Sequence, residues 1–390
     1  MPFNYTLNDK TSWPPVGRPK PPYGPTAIEV MRSCMLRNCF EASPNYERRL
    51  GCAARIGTVL HKTLQSLNKQ PIKAESTEQL AAETRRRFQA ELREQQDQSS
   101  SRLREQTLVW DHNRTNHALE AVISEAIRTQ PLGISSLSAS HWQANAQTGK
   151  PNEDFRSSAP NQNPPVEVEV AVRSENGLIQ GRIDRVEKAE NGVRLVDYKS
   201  AFREDLPERY VRQLQLYAYL WFETRDAWPS EAFVFYPMLG SFHVVSVEQS
   251  TCRQVAAESL DLIEKVARNV KPTDLASPGD VCKVCEFRAW CHPFWTWQRS
   301  EVSQLRAVDK ANMGFEGRVQ TIKLENHYWY LHIEWRKVLV KLVAPQERFP
   351  YLVGVQPNQR LRILDIALKG QLFQPTAHIT DQSEIFIVMG

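Results

Sequence analysis

The sequence predicts an α/β protein in which helices flank a mixed sheet, followed by a small all-β barrel. Three observations support this prediction: alternating apolar runs in the middle of the chain, apolar residues at helical spacing on both sides of them, and short alternating runs after residue 314. A chain of 390 residues can bury a large core, and two domains are expected. The predicted boundaries are a Pro-rich arm at 1–25, an α/β domain at 26–300 and a β-barrel at 301–390.

The helices follow from apolar periodicity and from capping signals. The proline-rich arm cannot form a helix and should be extended. Ser76 and Gln79 form a capping-box pattern, which predicts a helix start at Thr77. The predicted helical ranges are 26–68 with a break near Ser43-Pro44 and a second helix from about Tyr46, about Thr77–Gln96, about Arg102–Thr129, Glu208–Arg225 and about Gln249–Asn269. The polar stretch at about 143–165 should be a flexible insertion within the α/β domain.

Five alternating runs predict the strands of the mixed sheet. Asn191-Gly192 is a strong hairpin signal and should join two antiparallel neighbours. The predicted strands are Val166–Val172, Leu178–Glu187, Val193–Ser200, Ala232–Pro237 and Ser241–Val247.

The hairpin carries the residues that suggest chemistry. Side chains alternate along a strand, so Asp197 and Lys199 share a face, and Asp184 lies at the matching depth of the partner strand. Two carboxylates suit Mg²⁺ or Mn²⁺, and a nearby lysine can stabilise negative charge during hydrolysis of a phosphodiester. An isolated Asp-x-Lys pattern, however, is more often a solvated face with a cross-strand ion pair. On the following helix, Gln213 and Tyr217 share a face.

A cysteine cluster follows the sheet. Cys282, Cys285 and Cys291 lie within ten residues, a spacing that favours a metal site over disulfides in a reducing compartment. Tetrahedral sulfur coordination requires a fourth ligand, and both zinc and an iron–sulfur cluster accept such a site.

Taken in order, these motifs resemble the RecB-like branch of the PD-(D/E)XK nucleases, which includes exonucleases of CRISPR adaptation and has a restriction-endonuclease-like fold. The resemblance covers roughly residues 26–298. Each motif is weak alone, but the ordered set is specific. The matching motifs are Gly57-x-x-x-His61, Gly181-x-x-Asp184, Asp197-x-Lys199, Gln213-x-x-x-Tyr217 and the terminal cysteines.

The resemblance implies a role for each of these residues. It implies that His61, Asp184, Asp197 and the backbone carbonyl of Tyr198 bind the metal. Lys199 assists the attacking water, whereas Gln213 and Tyr217 support the site. It further implies a structural 4Fe-4S cluster and exonuclease action on single-stranded DNA. The implied cluster ligands are Cys34, Cys282, Cys285 and Cys291, with Cys39 as a fallback for the first and zinc as the alternative metal.

The C-terminal segment reads as five or six short strands, which favour an OB-like barrel. Aromatic and basic residues expected on its surface could stack and pair with single-stranded DNA. The other interpretation is that the aromatics form the core and the barrel only braces the α/β domain. The predicted strands are Gly317–Leu324, Tyr328–Trp335, Lys337–Val343, Arg360–Leu368 and Glu384–Met389, and the candidate DNA contacts are Tyr328, Tyr330, Trp335, Arg318 and Arg336.

Composition limits the remaining possibilities. The net charge of +4 permits nucleic-acid binding without arguing for it. No apolar run is long enough to span a bilayer, and the N-terminal residues lack a signal-peptide pattern, so no membrane association and a cytoplasmic location are expected. No phosphate-loop motif occurs, so any helicase or recombination partner would be another chain acting in trans. Repair, recombination and defence are all open pathways. The alternatives are a catalytically inactive nucleic-acid-binding module and a zinc-stapled structural protein.

Overall fold

In the computed structural model of this protein, the chain is described at residues 5–8, 13–15, 17–106, 108–130, 166–189, 191–268, 271–302, 310–371 and 374–389. The flexible insertion predicted at about 143–165 lies outside these residues. Within the described ranges, none of the helices is both long and apolar enough to cross a membrane.

Helices and strands account for most of the described chain. The helices are α1 Pro25–Ser33, α2 Met35–Glu41, α3 Cys52–Lys69, α4 Thr77–Ser101, α5 His112–Thr129, α6 Glu208–Arg225, α7 Gln249–Ala267 and α8 His292–Val302. The strands are β1 Thr6–Asn8, β2 Val166–Arg173, β3 Gln180–Ala189, β4 Gly192–Tyr198, β5 Glu231–Tyr236, β6 Ser241–Val245, β7 Lys310–Glu325, β8 Tyr328–Trp335, β9 Val338–Pro345, β10 Arg360–Gln371 and β11 Gln374–Met389.

The chain divides into two compact units. The first contains Met1–Cys52, Gln96–Trp110 and Ala257–Gly390, and the second contains Ala53–Gln95 and Asp111–Ala256. The mixed sheet thus belongs to the second unit, and the barrel and the cysteine cluster belong to the first. The domain boundaries drawn from the sequence stay a prediction.

The second unit is built on a five-stranded mixed sheet, as the sequence predicted. Its strand order is β2-β3-β4-β5-β6. The β4–β5 pair is parallel and the other pairs are antiparallel. Parallel neighbours need a crossover, and α6 supplies it between β4 and β5. This helix has the predicted bounds and ends at Asp226, whose left-handed conformation (φ 52°) stops it.

Two predicted helices were wrong in extent. The stretch from Arg102 to Thr129 is interrupted, because a short 3₁₀ turn at Leu103–Glu105 ends before α5 begins at His112. The Asp111 side chain accepts the backbone N–H of Arg114 and so caps the new helix. Likewise, α3 begins at Cys52 rather than near Tyr46.

The first unit contains the predicted barrel, which is closed by five strands. Its order is β7-β8-β9-β11-β10, with β10 returning to β7 and a parallel β9–β11 pair closing the circle. This is the strand order of an OB-fold. Alternate residues of β8 fill the barrel core, including Leu331 and Ile333. The expectation of an exposed Trp335 was wrong, because this side chain completes the same alternation and packs on Phe315 inside the barrel.

Candidate active site

The site forms where the β3–β4 hairpin opens. Backbone pairing runs as far as Arg185 opposite Val196. At the next position Asp184 does not continue the ladder; instead its Oδ2 accepts the backbone N–H of Tyr198 at 2.7 Å. This splaying places the carboxylates of Asp184 and Asp197 on neighbouring strand ends, as the sequence predicted.

Lys199 is held by three contacts around the opening. Its Nζ lies 2.6 Å from Asp197 Oδ2 and donates a hydrogen bond to Gln213 Oε1 at 3.0 Å. The same ammonium lies 4.8 Å from the centroid of the Tyr210 ring. A charged, hydrogen-bonded lysine therefore points to the carboxylates rather than to bulk solvent.

A glycine lets α3 approach the end of β4 and bring His61 to the site. A Cβ on Gly57 would lie 2.3 Å from Ser200 Oγ, so only glycine allows this packing without a shift. His61 lies one turn further along α3, with Nδ1 3.7 Å from Asp184 Oδ2. The Gly-x-x-x-His spacing thus combines a close helix–strand contact at Gly57 with the placement of His61 beside Asp184.

The carboxylates of Asp184 and Asp197 lie close together, and their proximity affects the pKa values of the site. Burial and the charge of Asp197 raise the pKa of Asp184 well above its ordinary value. Burial and the Lys199 charge lower the pKa of His61 to about 4, while a hydrogen bond to the backbone of Tyr198 opposes this change. His61 is therefore a neutral imidazole at pH 7, the form that can bind a metal.

Helix α6 places Gln213 and Tyr217 behind these groups. Both side chains are buried, at 7% exposure each. Tyr217 is hydrogen-bonded to the Gln213 side chain and to the backbone of Arg182, and burial raises its pKa. Tyr217 therefore fixes the amide that orients Lys199.

A buried ionic network behind Tyr198 was not recognised from the sequence. Glu125 Oε1 lies 3.2 Å from Arg185 Nη1 and 2.6 Å from Arg128 Nη2. The Tyr198 hydroxyl lies 3.5 Å from the same Glu125 oxygen. One signal was present, because Arg185 occupies an apolar-face position of β3 between Ile183 and Glu187. A buried strand arginine needs a carboxylate partner, and Arg185 has two: Glu187 on the same strand at 2.8 Å and Glu125 on α5 at 3.2 Å.

The donors suit a hard divalent cation. Asp197 Oδ2 is buried and accepts no hydrogen bond, although Lys199 lies beside it. Carboxylate oxygens and a backbone carbonyl suit Mg²⁺ or Mn²⁺, whereas an imidazole nitrogen is a softer ligand that transition metals accept more readily than Mg²⁺. Across the described ranges, no three His, Cys, Asp or Glu side chains form a ready-made metal-binding group. Asp184 Oδ2 instead accepts the Tyr198 N–H, and Asp197 forms an ion pair with Lys199.

In the first unit, four cysteines line one pocket. They are Cys34, Cys282, Cys285 and Cys291, the four expected from the sequence. The fallback residue Cys39 is not among the lining residues; it is buried, and its Sγ lies 3.9 Å from Arg18 Nη1. Burial raises the pKa of Cys282, and that of Cys285 to about 11.

Two arginines also line this cysteine pocket. Arg37 is paired with Glu286 at 2.8 Å, and Arg288 donates to the carbonyl of Cys282 and to Asp365. Both arginine charges are therefore paired with carboxylates, those of Glu286 and Asp365.

The family comparison covers the site. Residues 23–292 match the family model described as the PD-(D/E)XK nuclease superfamily. This span includes the hairpin, α3, α6 and the four cysteines of the pocket. None of the curated proteins compared matches this chain.

Solved structures give only distant likenesses. The Ifi202 HINa domain in complex with 20bp dsDNA is 16% identical over 23% of this chain and 44% of that chain, with a TM-score of 0.19. A replication factor A related protein from Methanobacterium thermoautotrophicum is 16% identical over 20% and 83%, with a TM-score of 0.17. The crystal structure of SSO0001 is 16% identical over 60% and 95%, with a TM-score of 0.26. The chain thus spans less than half of the first of these structures, and the scores are too low to carry an argument.

Proposed function

The chain belongs to the PD-(D/E)XK nuclease superfamily, and from this premise we propose that it is a RecB-like, metal-dependent deoxyribonuclease that degrades single-stranded DNA from an end. One observation carries the proposal. His61, Asp184, Asp197 and Lys199, which lie far apart in sequence, meet around the backbone of Tyr198. The alternative interpretation of Asp-x-Lys is a solvated strand face with an ion pair. That interpretation explains neither the histidine that α3 contributes nor the glycine at the contact between α3 and the end of β4.

In this proposal His61, Asp184, Asp197 and the Tyr198 carbonyl hold Mg²⁺ or Mn²⁺. When bound, the cation neutralises the charge of the scissile phosphate and favours ionisation of water. Lys199 stabilises the negative charge that develops on the phosphate oxygens and orients the attacking water. Gln213 orients the Lys199 ammonium by accepting its hydrogen bond, and Tyr217 holds the Gln213 amide in place through a second hydrogen bond. The buried Glu125 network holds Tyr198 from behind.

We further propose that the cysteine pocket holds a structural 4Fe-4S cluster, with zinc as the alternative. The pocket brings Cys34 together with the three cysteines that lie about 250 residues later. Closing so long a loop removes conformational entropy from the unfolded chain. The proposed role is therefore stability of the first unit, not catalysis.

The barrel extends the proposal to strand binding. Tyr328 is 45% exposed on β8, and Tyr330 lies on the same outward face. Exposed Lys323 lies opposite Tyr330, and exposed Lys341 lies opposite His332. Aromatic faces between cations suit the bases and phosphates of a single strand. The proposal also includes a helicase or recombination partner in trans, action in the cytoplasm, and a role in repair, recombination or defence.

The test compares substrates that differ only in ends and strandedness. Anaerobically purified protein would be incubated with Mg²⁺ or Mn²⁺ and with linear single-stranded, circular single-stranded or linear duplex DNA. We expect cutting of the linear single strand only, abolished by EDTA, with an end-label ladder that gives polarity. Cleavage of the circle would replace exonuclease by endonuclease action. Binding without any cleavage would instead support the inactive binding module.

A further inference from the structure

The loop between Lys199 and α6 carries an exposed aromatic side chain that the proposed mechanism does not use. Phe202 is 56% exposed, the largest exposed fraction of any aromatic side chain in the described ranges. It lies three residues after Lys199, and the same loop runs on into the helix that carries Gln213. Proposed catalytic groups therefore lie on both sides of this phenylalanine in the chain.

The loop is anchored on both sides of Phe202. Before it, Lys199 N–H donates to Phe235 O at 2.9 Å, and Ser200 lies against Gly57. After it, the Tyr236 hydroxyl donates to the Asp205 carbonyl at 3.1 Å, and Arg203 forms two hydrogen bonds with the Asp205 carboxylate. The exposed ring is thus presented by a fixed backbone rather than by a loose one.

Phe202 lies beside α5, next to a stretch that carries one arginine and two histidines. The centroid of its ring lies 5.7 Å from that of the His117 ring at an angle of 45°, and the side chain stays 56% exposed. The segment 112–119 of α5 contains His112, Arg114 and His117 and no carboxylate, but exposed Glu120 follows it directly. Asp111 precedes it, but its carboxylate is engaged by the N–H of Arg114.

The distance to the reacting phosphate fits a neighbouring base. Three residues of extended chain span at most about 11 Å. Consecutive nucleotides of one strand advance about 3.4 Å in B-DNA. Phe202 is therefore within about three nucleotides of a phosphate held at Lys199. Only an unpaired base has a free face to stack on the ring, because a duplex keeps that face covered by its neighbour.

We propose that Phe202 stacks on an unpaired base within three nucleotides of the scissile phosphate and makes the site prefer single-stranded DNA. This inference rests on the proposed nuclease function. Phe202 is a specificity residue here and takes no part in the chemical step. Its loss should weaken single-strand binding by about tenfold or more, the effect of one lost base–aromatic stack.

The experiment measures binding and cleavage separately. Binding is followed by anisotropy of a labelled oligonucleotide in a Lys199→Ala background, so that the DNA stays intact, for Phe202→Ala, Phe202→Leu and Phe202→Trp. The control is Val244→Ala, which truncates a more exposed apolar side chain (70% exposed, against 56% for Phe202) on edge strand β6 of the same unit. We expect Phe202→Ala and Phe202→Leu to lose single-strand affinity while duplex affinity changes less than about twofold, and Phe202→Trp to restore it.

An abasic series locates the stacked base. Single abasic sites are placed at each of the positions flanking the cut, and cleavage is measured with otherwise wild-type protein and with Phe202→Ala. One position should slow the wild type and leave Phe202→Ala unaffected. The inference would be overturned if Phe202→Ala bound single-stranded DNA as tightly as its Lys199→Ala parent. It would also be overturned if Val244→Ala lost as much single-strand affinity as Phe202→Ala. Normal cleavage by the wild type in that case would leave the nuclease function standing.

Discussion

Gly57 and Ser200 set the distance between the histidine helix and the lysine strand. Their contact is the tightest near the site, since a Cβ on Gly57 would meet Ser200 Oγ at 2.3 Å and Ser200 Cβ at 3.2 Å. Rotation of the serine hydroxyl could relieve the first clash but not the second. His61 must therefore move when Gly57 acquires a side chain.

We expect Gly57→Ala to destabilise the protein by about 1–3 kcal/mol through overpacking. It should also lower cleavage by roughly tenfold, because a displacement of a fraction of an ångström disturbs the ligand positions. Thermal unfolding and initial cleavage rates measure the two effects. The control is Gly57→Ala combined with Ser200→Gly, which removes both clashing atoms and should recover activity. Failure of this rescue would show that Gly57 matters for another reason.

At the scale of elements, α5 supports the catalytic strand through Glu125. This carboxylate is buried among Arg128, Arg185 and the Tyr198 hydroxyl. Removing one partner of a buried ion pair leaves its counter-charge without compensation. The helix is thus part of the site although it supplies no ligand.

Glu125→Ala should therefore lower the free energy of unfolding by about 1–3 kcal/mol, because Arg185 keeps Glu187 at 2.8 Å and the Arg128 side chain is half exposed. Chemical denaturation of the wild type and the variant would measure the loss. Glu120→Ala, which removes an exposed carboxylate from the same helix, is the matched control and should change stability by less than about 0.5 kcal/mol. Similar stabilities for Glu125→Ala and Glu120→Ala would exclude a structural role for the network.

Strand β11 makes a second buried network in the first unit, and this network should make stability depend on pH. Burial alone would raise the pKa of Glu384, but the charges of Arg104 and Arg49 outweigh it and hold the pKa below its ordinary value. A depressed pKa stabilises the fold above the unfolded-state value, and the contribution falls as pH drops through the folded-state value.

The difference in thermal midpoint between wild type and Glu384→Gln should thus be constant above about pH 5 and shrink at lower pH. Melting curves at several pH values would measure it. A difference that grew on acidification would contradict this assignment of sign.

The sequence predicted features that depend on neighbouring residues better than features that depend on contacts between distant parts of the chain. Local signals placed the β3–β4 hairpin from Asn191-Gly192, α6 from its apolar period, and all five barrel strands in order, although β7 begins seven residues and β11 ten residues before the predicted starts. The carboxylates and the lysine followed from alternation on that hairpin. The Glu125–Arg185 pair joins α5 to β3, and no local pattern encodes such a long-range partner. Trp335 was wrongly predicted to be exposed because the sequence of β8 shows an alternation but does not show which of its two faces points into the barrel.

At the scale of the whole molecule, the cysteine pocket ties the first described helices to the segment after the sheet. Arg37–Glu286 and Arg104–Glu384 reinforce the same first unit by ionic contacts. Segments of this unit that are far apart in sequence are therefore joined by ion pairs.

Cys34→Ala should abolish iron incorporation and the brown colour of anaerobically purified protein, because it removes one of the four pocket ligands. Cys39→Ala is the matched control, since Cys39 is buried nearby but does not line the pocket. Iron and zinc content with visible absorbance would decide the outcome. A colourless wild type with stoichiometric zinc would replace the cluster by a zinc staple.

The central claim is that one cation site at the open end of the hairpin cuts DNA. The most direct measurement is Mg²⁺- or Mn²⁺-dependent cleavage of end-labelled single-stranded DNA by wild type, Asp197→Ala and Lys199→Ala. Lys188→Ala, an exposed lysine of the same sheet, is the control. We predict that the wild type and Lys188→Ala cut equally, that both site variants lose at least about a hundredfold in rate, and that both still bind DNA. Undiminished cleavage by Asp197→Ala and Lys199→Ala would contradict this account.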